Sequence, residues 1–391
     1  MKAPLRVLHL HSGNLYGGVE TILVTIARWQ HETPAVTHEF ALCFPGRCAD
    51  ELAAAGASVT PLGAARVSRP WSVLAARRRL AALLGDARPD VAVTHSPWAH
   101  GSFAPVVRRA GIPLVHWRHG SGGGHWLDRW AARMPPDLVL AASRYVASSS
   151  RDAFPGSPCE VLYPPVDAAR GPAGAGADGR ALVLREEVRA SLGTPLDVTV
   201  LIQVSRMEAG KGHAVLVEAL DALRDRDDWE AWIVGRAQRP SEVAYEERLR
   251  GRVATLGLEG RVRFLGERDD VPALLAAADV CCQPDKGPEA FGIVFVEALA
   301  RGVPVVTSAI GAAPEVVDPS CGILVPPGDP SALAAALRDL LDAPARRSAL
   351  GAAGPALAAA LCDPRRQLER LGDLLRTVVG REVRAPEGPS R

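Results

Sequence analysis

The sequence contains almost no lysine. Of its 45 basic residues only three are lysines, Lys2, Lys211 and Lys286, so arginine supplies nearly every positive charge. A lysine retained in such a chain is a candidate for a specific role, because its compact ammonium binds anions as a point charge, unlike the planar guanidinium. The 45 basic and 44 acidic residues nearly balance, with a formal net charge of +1. This balance gives no support for nucleic acid or another polyanion as a partner.

Paired cysteine motifs are also missing. The seven cysteines are odd in number, none forms a Cys-x-x-Cys motif, and Cys281 and Cys282 are adjacent within a predicted strand. This pattern argues against a disulfide framework and against a zinc site, and it favours the reducing cytoplasm.

Long apolar runs are absent as well. No run approaches the roughly 20 apolar residues that a membrane span requires. The chain also enters a predicted strand, Leu5–Leu10, directly after its first residues, rather than the apolar core of a signal peptide. We therefore expect a soluble, cytoplasmic protein. Its 391 residues, 48% of them hydrophobic, are enough for two domains with separate cores.

Neither half of the chain carries Gly-x-Gly-x-x-Gly after its first predicted strand, which argues against a nicotinamide or flavin dehydrogenase. Each half nevertheless begins with a strand, a glycine-containing loop and a helix. In the first half the loop contains Gly17 and Gly18 and the helix covers Val19–Trp29. Two open sheets built in this way can hold a ligand at the carboxyl ends of their strands. Gly17 and Gly18 would let the backbone approach a phosphate closely, and a plain tight turn is the alternative.

Residues 283–307, QPDKGPEAFGIVFVEALARGVPVVT, are the most informative stretch. Their pattern predicts a helix over Phe291–Arg301, with Gly302 as its C-cap, between the strands Ala278–Gln283 and Val303–Ser308. The stretch is therefore a strand-loop-helix-strand unit.

Two carboxylates, Glu289 and Glu297, lie eight positions apart around the start of this helix. The sequence neighbours of Glu297 are apolar, so its carboxylate is expected to lie largely out of water and to need hydrogen-bond donors. Sugar hydroxyls would supply them, while the free N–H groups of Gly292 and Ile293 would face an anion. Together these features favour a sugar nucleotide. The alternative is that Glu297 pairs with a core arginine and Glu289 only caps the helix.

The second candidate anion site is the loop SRMEAGKGH, which contains Arg206 and Lys211. It is predicted to connect the strand Val198–Val204 to the helix His213–Leu223. A guanidinium and an ammonium in one loop could hold a diphosphate, and a solvated turn is the alternative.

Polar residues end the predicted strands of the amino-terminal half, where they would line a cleft. These candidates for substrate contact are His95, Ser96, His116, Arg118 and His119. The glycine-rich loop at residues 120–130 carries two tryptophans, and Trp98 and His100 lie on a neighbouring loop. Exposed aromatic rings would suit a sugar or lipid acceptor, although they could equally pack the loop down.

These motifs resemble those of the family 4 retaining glycosyltransferases. The most specific match is the Glu-x7-Glu signature formed by Glu289 and Glu297, including the FGIV that follows the first carboxylate. Arg206 and Lys211 match the basic residues of a G-R-x-x-x-x-K-G loop, with Ser205 in place of the usual glycine. The GGVE after the first strand resembles the family's Gly-Gly-x-Glu motif.

The resemblance implies an α/β fold of the GT-B type, in which two Rossmann-like domains face each other across a cleft. It implies an acceptor-binding domain over residues 1–180 and a donor-binding domain over 181–363. A final helix over 364–379 would cross back to the first domain, and residues 380–391 are predicted to be a disordered tail. The boundary is suggested by YPPVD at 163–167, which resembles the element that closes the first domain in this family.

The resemblance also implies a reaction that moves a sugar from a nucleoside diphosphate to an acceptor hydroxyl with retention of configuration. His119, Arg206, Lys211 and Glu289 would be the catalytic residues. The residues expected to contact the donor are Gly17, Gly18, Arg206, Lys211, Gly235, Gly266, Phe291, Gly292, Ile293 and Glu297. No cofactor and no metal are expected, because the one Asp-x-Asp, Asp225 and Asp227, lies at a charged helix end.

Two other functions are compatible with the same motifs. A sugar-nucleotide epimerase or hydrolase would turn over the donor without an acceptor, and a noncatalytic binding protein would bind the donor and transfer nothing. The acceptor could be a glycan, a lipid-linked sugar or a small molecule. A basic amphipathic helix predicted over residues 68–84, with Trp71 beside Arg77, could rest on an anionic membrane, and an ordinary solvated helix is the alternative.

Overall fold

The computed structural model describes residues 3–122, 125–167 and 179–382. These residues form two compact units: residues up to Pro165 join those from Pro364 onward, and Val166–Asp363 form the other. The division comes earlier than the boundary predicted at residue 180. Gly123 and Gly124 of the glycine-rich loop, most of the predicted linker after YPPVD, and the end of the predicted tail lie outside the described residues.

The first unit is built on a seven-stranded parallel sheet in the order β3-β2-β1-β4-β5-β6-β7. Its strands are β1 Leu5–His11, β2 Val36–Leu42, β3 Ser58–Pro61, β4 Val91–Thr94, β5 Leu114–Arg118, β6 Leu138–Ala141 and β7 Cys159–Val161. Its first six helices are α1 Gly18–Trp29, α2 Arg47–Ala54, α3 Pro70–Ala87, α4 Pro97–Arg109, α5 Trp126–Ala131 and α6 Arg144–Ala153. The inner strands β1, β4, β5 and β6 are almost wholly buried, as expected where helices cover both faces of a parallel sheet, whereas the edge strands β3 and β7 are only partly buried.

The second unit is built on a six-stranded parallel sheet in the order β10-β9-β8-β11-β12-β13. Its strands are β8 Thr199–Val204, β9 Trp229–Val234, β10 Val262–Gly266, β11 Val280–Gln283, β12 Val305–Ser308 and β13 Gly322–Val325. Its helices are α7 Gly179–Leu192, α8 His213–Asp221, α9 Pro240–Thr255, α10 Val271–Ala277, α11 Ile293–Leu299, α12 Ala313–Val316, α13 Pro330–Asp342 and α14 Pro344–Cys362. Both units are therefore α/β, as the sequence predicts.

The last helix, α15 (Pro364–Glu382), packs in the first unit. Four apolar side chains one helical turn apart are buried there: Leu368, Leu371, Leu375 and Val378. Arg365 forms an ion pair with Glu32, and Arg376 donates to the carbonyl oxygen of Ala35 at 3.2 Å. The helix continues to residue 382, so the prediction that a disordered tail starts at 380 is wrong for its first three positions.

Each sheet has a switch point, where neighbouring strands lead into connections that leave in opposite directions. In the first unit it lies between β1 and β4, and in the second between β8 and β11. Ligands of open parallel sheets bind beside the carboxyl ends of the strands at such points. The loops that lead to Gly17, to Lys211 and to Glu289 begin at these points.

Candidate functional site

In the second unit, the loop after β8 and the loop after β11 touch through a glycine. Gly212 has φ +74°, and a Cβ at this position would lie 1.8 Å from the carbonyl oxygen of Pro284. The amide of Lys286 also donates to the carbonyl oxygen of Gly210 at 2.8 Å. Only a residue without a side chain fits this approach and this conformation. Gly212 therefore brings its neighbour Lys211 to the end of β11.

This contact places Lys211 against two carboxylates. Its ammonium forms an ion pair with Glu289, and its Nζ lies 3.7 Å from Oδ1 of Asp285. Gln283, the last residue of β11, donates from Nε2 to Asp285 Oδ2 at 3.0 Å, and Gln203 of β8 donates from Nε2 to the carbonyl oxygen of Lys211 at 2.7 Å. The second oxygen of Glu289 accepts the amide hydrogen of Ala290 at 2.9 Å. Lys211 and Glu289, 78 residues apart in the sequence, thus form one cluster.

The three charged groups of this cluster shift one another's pKa values. Burial works against both the ammonium and the Glu289 carboxylate, yet their attraction holds the pKa of Lys211 above its ordinary value and the pKa of Glu289 below its own. Asp285 is only 1% exposed. Its burial, helped by the negative charge of Glu289, raises its pKa to about 7 against the pull of Lys211. Lys211 and Glu289 are therefore charged, while Asp285 takes up a proton near neutral pH.

We predict that Asp285→Asn changes the pH dependence of stability in the second unit. The folded pKa of Asp285, about 7, lies above that of an unfolded aspartate, about 3.9, so the free energy of unfolding falls as pH rises through this window. The loss amounts to at most about 4 kcal/mol. Asparagine cannot release the proton, so the variant should gain stability over the parent between pH 5 and pH 8. Hydrogen exchange of the β11 amides measures this gain, and an equal pH profile for both proteins would contradict it.

Arg206 also lies among carboxylates. It forms an ion pair with Glu208, and its Nη1 donates to Glu242 Oε1 at 3.2 Å. Glu242 is 5% exposed, and its other oxygen accepts the amide hydrogen of Gln238 at 2.7 Å. The sequence predicts both cations of the loop and Glu289, one carboxylate partner of Lys211, but it predicts neither the partners of Arg206 nor Asp285. Asp285 follows a buried strand by two residues, a signal that could have identified it, whereas Glu242 is one of many helix-start carboxylates.

The loop before α11 is held by a second glycine contact. Gly311 has φ +65°, and a Cβ there would lie 2.3 Å from the carbonyl oxygen of Glu289. That oxygen accepts the amide hydrogen of Ala312 at 2.8 Å. These contacts fix the backbone of Glu289, so its side chain points to Lys211 from a rigid loop.

The helix with the Glu-x7-Glu pattern is shorter than predicted. It covers Ile293–Leu299, with Gly292 as N-cap at φ +88°, so Phe291 precedes it instead of starting it. A Cβ at Gly292 would lie 2.2 Å from the ring of Phe295, which explains the glycine. Glu297 lies on this helix and is partly buried. Its carbonyl oxygen accepts a hydrogen bond from the buried Arg301, at 2.8 Å.

Gly235 and Gly266, two of the glycines expected to contact the donor, lie at the ends of two neighbouring strands. The amide of Gly235 donates to the carbonyl oxygen of Gly266 at 2.7 Å, beyond the last paired residues of β9. A Cβ at Gly235 would lie 2.0 Å from the carbonyl oxygen of Ser205, so this position requires glycine. Gly235 therefore packs directly against the start of the loop that carries Arg206.

In the first unit, the loop after β1 leads to Gly17 and Gly18 at the start of α1. Gly17 is the N-cap in an extended conformation and Gly18 is the first helical residue. Glu20, in the first turn, accepts a hydrogen bond from His11 Nε2 at 2.7 Å, with both side chains buried. The helix start is thereby tied to the carboxyl end of β1.

His119 follows β5 and is half-buried. Its Nε2 lies 3.0 Å from Nδ1 of His95, and burial lowers its pKa to about 3, so the ring is neutral at physiological pH. His116 and Arg118, also predicted to contact the substrate, make their hydrogen bonds inside the fold. His116 and His100 share the hydroxyl of Thr94 at 2.9 and 2.8 Å. Arg118 donates to Ser150 Oγ at 3.1 Å and is 5% exposed.

The tryptophans of the glycine-rich loop differ in their exposure, and so do the side chains of the basic helix α3. Trp130 packs so closely on Gly101 that a Cβ there would lie 2.6 Å from the indole, while Trp126 is 46% exposed. Helix α3 exposes Trp71 and Leu74, at 70% and 50%. Arg77 donates to the carbonyl oxygen of Ser102 at 2.6 Å, so part of the predicted basic face serves the fold.

Across the described residues, no three His, Cys, Asp or Glu side chains are grouped so that they could hold a metal ion. Asp225, of the Asp-x-Asp, accepts hydrogen bonds from Arg338 at 3.2 Å on the surface. The same part of the chain contains no helix with the length and apolar character of a bilayer span.

The model described as Glycosyl transferases group 1 matches residues 185–356, and the model described as Glycosyltransferase Family 4 matches residues 16–170. A GDP-mannose-dependent alpha-(1-6)-phosphatidylinositol monomannoside mannosyltransferase of Mycolicibacterium smegmatis is 36% identical over 271 residues, 64% of this chain and 67% of that protein. The chain belongs to the group 1, family 4 glycosyltransferases.

Two further relatives of this glycosyltransferase are similar over shorter stretches. A phosphatidyl-myo-inositol mannosyltransferase of Mycobacterium leprae is 43% identical over 41% of each chain. A D-inositol 3-phosphate glycosyltransferase of Salinispora tropica is 34% identical over 65% of this chain and 57% of that protein. The three alignments thus span between two fifths and two thirds of the relatives' own length.

Solved structures confirm the predicted GT-B fold of this glycosyltransferase. Anabaena HepE in complex with UDP-glucose matches 95% of this chain and all of that one, with a TM-score of 0.83 and 24% identity. WaaG, a glycosyltransferase involved in lipopolysaccharide biosynthesis, matches 95% of this chain and 99% of that one, with a TM-score of 0.72 and 18% identity. At these identities the likeness concerns the fold alone.

Proposed function

We propose that this glycosyltransferase moves a sugar from a nucleoside diphosphate sugar to an acceptor hydroxyl with retention of configuration and without a metal. The observation that supports this function most directly is the cluster of Lys211, Glu289 and Asp285 at the switch point of the second sheet. A fixed ammonium beside fixed carboxylates suits a ligand that combines a diphosphate with a hydroxylated ring. Arg206 begins the same loop and supplies a guanidinium.

In this mechanism the negative charge that develops on the leaving diphosphate is met by groups already in place. The ammonium of Lys211 contacts the phosphate oxygens, while the carboxylate of Glu289 accepts hydrogen bonds from the hydroxyl groups of the donor. Such preorganised donors stabilise the transition state more than the ground state, because they need no rearrangement as charge develops. Protonation of Asp285 near neutral pH removes one negative charge from the anion site.

Retention of configuration follows a front-face route in this proposal. The leaving phosphate accepts the proton of the acceptor hydroxyl, so no protein carboxylate acts as nucleophile. Glu297 is poorly suited to that role because it lies in the middle of α11, and a retaining glycosidase needs its two carboxyl groups on either side of the scissile bond. His119, a neutral ring, supplies a supporting hydrogen bond to the sugar. Gly17 and Gly18 allow close approach of the α1 start to the ligand.

The donor and acceptor classes are proposed from the relatives. One relative is named as GDP-mannose-dependent and HepE binds UDP-glucose, so a UDP- or GDP-hexose is the proposed donor. Relatives are also named for phosphatidylinositol acceptors, which supports a lipid-linked acceptor. The exposed Trp71 and Leu74 of α3 are apolar groups that could contact the surface of an anionic membrane.

A panel of UDP- and GDP-hexoses, scored for nucleotide release with and without a phosphoinositol-containing acceptor, tests this function. We expect one donor to be consumed at least about tenfold faster with acceptor, with the anomeric configuration retained and the rate unchanged by excess chelator. Equal turnover without acceptor would instead identify an epimerase or hydrolase. Donor binding without turnover on any acceptor of the panel would favour a noncatalytic binding protein.

A further inference from the structure

Four imidazole rings of the first unit form a continuous hydrogen-bonded chain. His38 Nδ1 lies 2.9 Å from His9 Nε2, His9 Nδ1 lies 2.8 Å from His95 Nε2, and His95 Nδ1 lies 3.0 Å from His119 Nε2. His38, His9 and His95 are at most 2% exposed. We call these four residues the histidine chain. It ends at His119, which is proposed above to form a hydrogen bond with the sugar.

The sheet order produces this arrangement. His38 is on β2, His9 is on β1, His95 follows β4 and His119 follows β5, and these four strands are neighbours in that order. Side chains on one face of a sheet meet their neighbours across adjacent strands. The histidine chain therefore runs across the strands, from inside the sheet to the carboxyl edge, where ligands of such sheets bind.

Both ends of the histidine chain lack a partner among the described residues. His38 Nε2 and His119 Nδ1 are buried nitrogen atoms without a hydrogen bond. All four rings are neutral at physiological pH, because burial lowers the pKa of His38 to about 4 and of His119 to about 3, and lowers those of His9 and His95 well below the ordinary value. Each ring therefore carries one N–H and one acceptor nitrogen.

With one proton on each ring, the histidine chain can satisfy its internal hydrogen bonds in two ways. The three bonds need one proton each, and the fourth proton must occupy one of the two end nitrogens. All four rings are then protonated either on Nδ1, with the spare proton on His119, or on Nε2, with the spare proton on His38. Any mixed arrangement places two protons or two lone pairs face to face inside the sheet, which is costly in a dry interior.

We propose that His38, His9 and His95 are positioning residues that fix the tautomer of His119, so that His119 presents Nδ1–H to an oxygen atom of the bound sugar nucleotide. The direction follows from the two ends of the chain. A ligand oxygen can accept the proton at His119, whereas a proton on His38 Nε2 would be a buried donor without an acceptor, the rarer and more costly defect. A lone imidazole at this place would be free to present either nitrogen.

The role of His119 in this inference rests on the proposed function, but the tautomer itself is measurable without turnover. In the full chain labelled with 15N-histidine and saturated with UDP or GDP, long-range proton–nitrogen NMR at pH 8 distinguishes the two tautomers of each ring. We expect His38, His9, His95 and His119 to be protonated on Nδ1. Any one of them in the opposite tautomer, or doubly protonated, would overturn the inference.

Two variants then separate positioning from simple packing. His95→Phe keeps a buried ring and removes the partner of His119 Nε2, so His119 should show both tautomers and kcat should fall about tenfold. His31→Phe removes a histidine that is 73% exposed and outside the chain, and it should change neither. Unchanged His119 signals in His95→Phe would overturn the inference. If all four wild-type rings are protonated on Nδ1 but no donor is turned over, the proposed function fails while the inferred tautomer of the histidine chain is upheld.

Discussion

Lys211→Ala is expected to lower kcat/KM for sugar transfer by about 10²- to 10³-fold, the usual cost of removing one preorganised group that stabilises transition-state charge. Lys211 is the ammonium held by Gly212 against the end of β11, and its removal also leaves Glu289 and Asp285 as adjacent acids without their cation. The pKa of Glu289 should then rise, since Lys211 is what lowers it against burial. Steady-state kinetics with the best donor of the panel measures the effect.

The chain offers a matched control for this variant. Lys286 lies in the facing loop, its side chain is exposed, and its backbone amide donates to the carbonyl oxygen of Gly210. Lys286→Ala removes the same charge from the same region and should keep kcat/KM within about twofold of the parent. Lys211→Arg should stay impaired, because a planar guanidinium cannot replace a point charge between two carboxylates. Equal activity of Lys211→Ala and Lys286→Ala would refute the assignment of the site.

Acid is expected to unfold the first unit well before the second. The folded pKa values of His38 and His100 are about 4, below the ordinary value of 6.5 for a histidine in an unfolded chain. The stability they contribute is therefore present above pH 6.5 and is lost as pH falls to about 4, because the unfolded chain takes up protons first. Each ring contributes about 3 kcal/mol to this loss. Two such rings would cancel much of the stability of a domain, which is about 5–15 kcal/mol.

Hydrogen exchange at pH 7 and pH 5, corrected for the intrinsic rate, tests this prediction within one molecule. Protection of β1, β2 and β5 should fall by several orders of magnitude, whereas β8 and β9 should change far less. The second unit is the internal control, since of the ten histidines only His213 lies in it. Between pH 7 and pH 5, His38→Phe should remove about 2 kcal/mol of the acid effect. Equal loss of protection in both units would refute this explanation.

The sequence alone predicted the fold and two charged residues of the candidate site, Lys211 and Glu289. Alternation of apolar runs with amphipathic helices predicted two parallel-sheet α/β domains, and the scarcity of lysine singled out Lys211. Glu289 followed from its position before an apolar helix. The loop that holds each of these residues starts at a strand end, so a local pattern placed both at the same edge of the sheet.

Other features depend on contacts that no local pattern encodes. The pKa of Asp285 arises from burial and from two charged neighbours, one of them in a different loop. The histidine chain requires four strands in a particular order and register, which a single sequence does not reveal. The start of α11 at Ile293 was missed because Gly292 adopts a left-handed conformation beside Phe295, a backbone detail set by packing.

A structure of the protein with UDP or GDP bound would test the central claim most directly. We predict that the β-phosphate lies within hydrogen-bond distance, about 3 Å, of Lys211 Nζ and beside the guanidinium of Arg206. A diphosphate bound elsewhere, with the Lys211–Glu289 ion pair intact and no contact to the loop after β8, would contradict it.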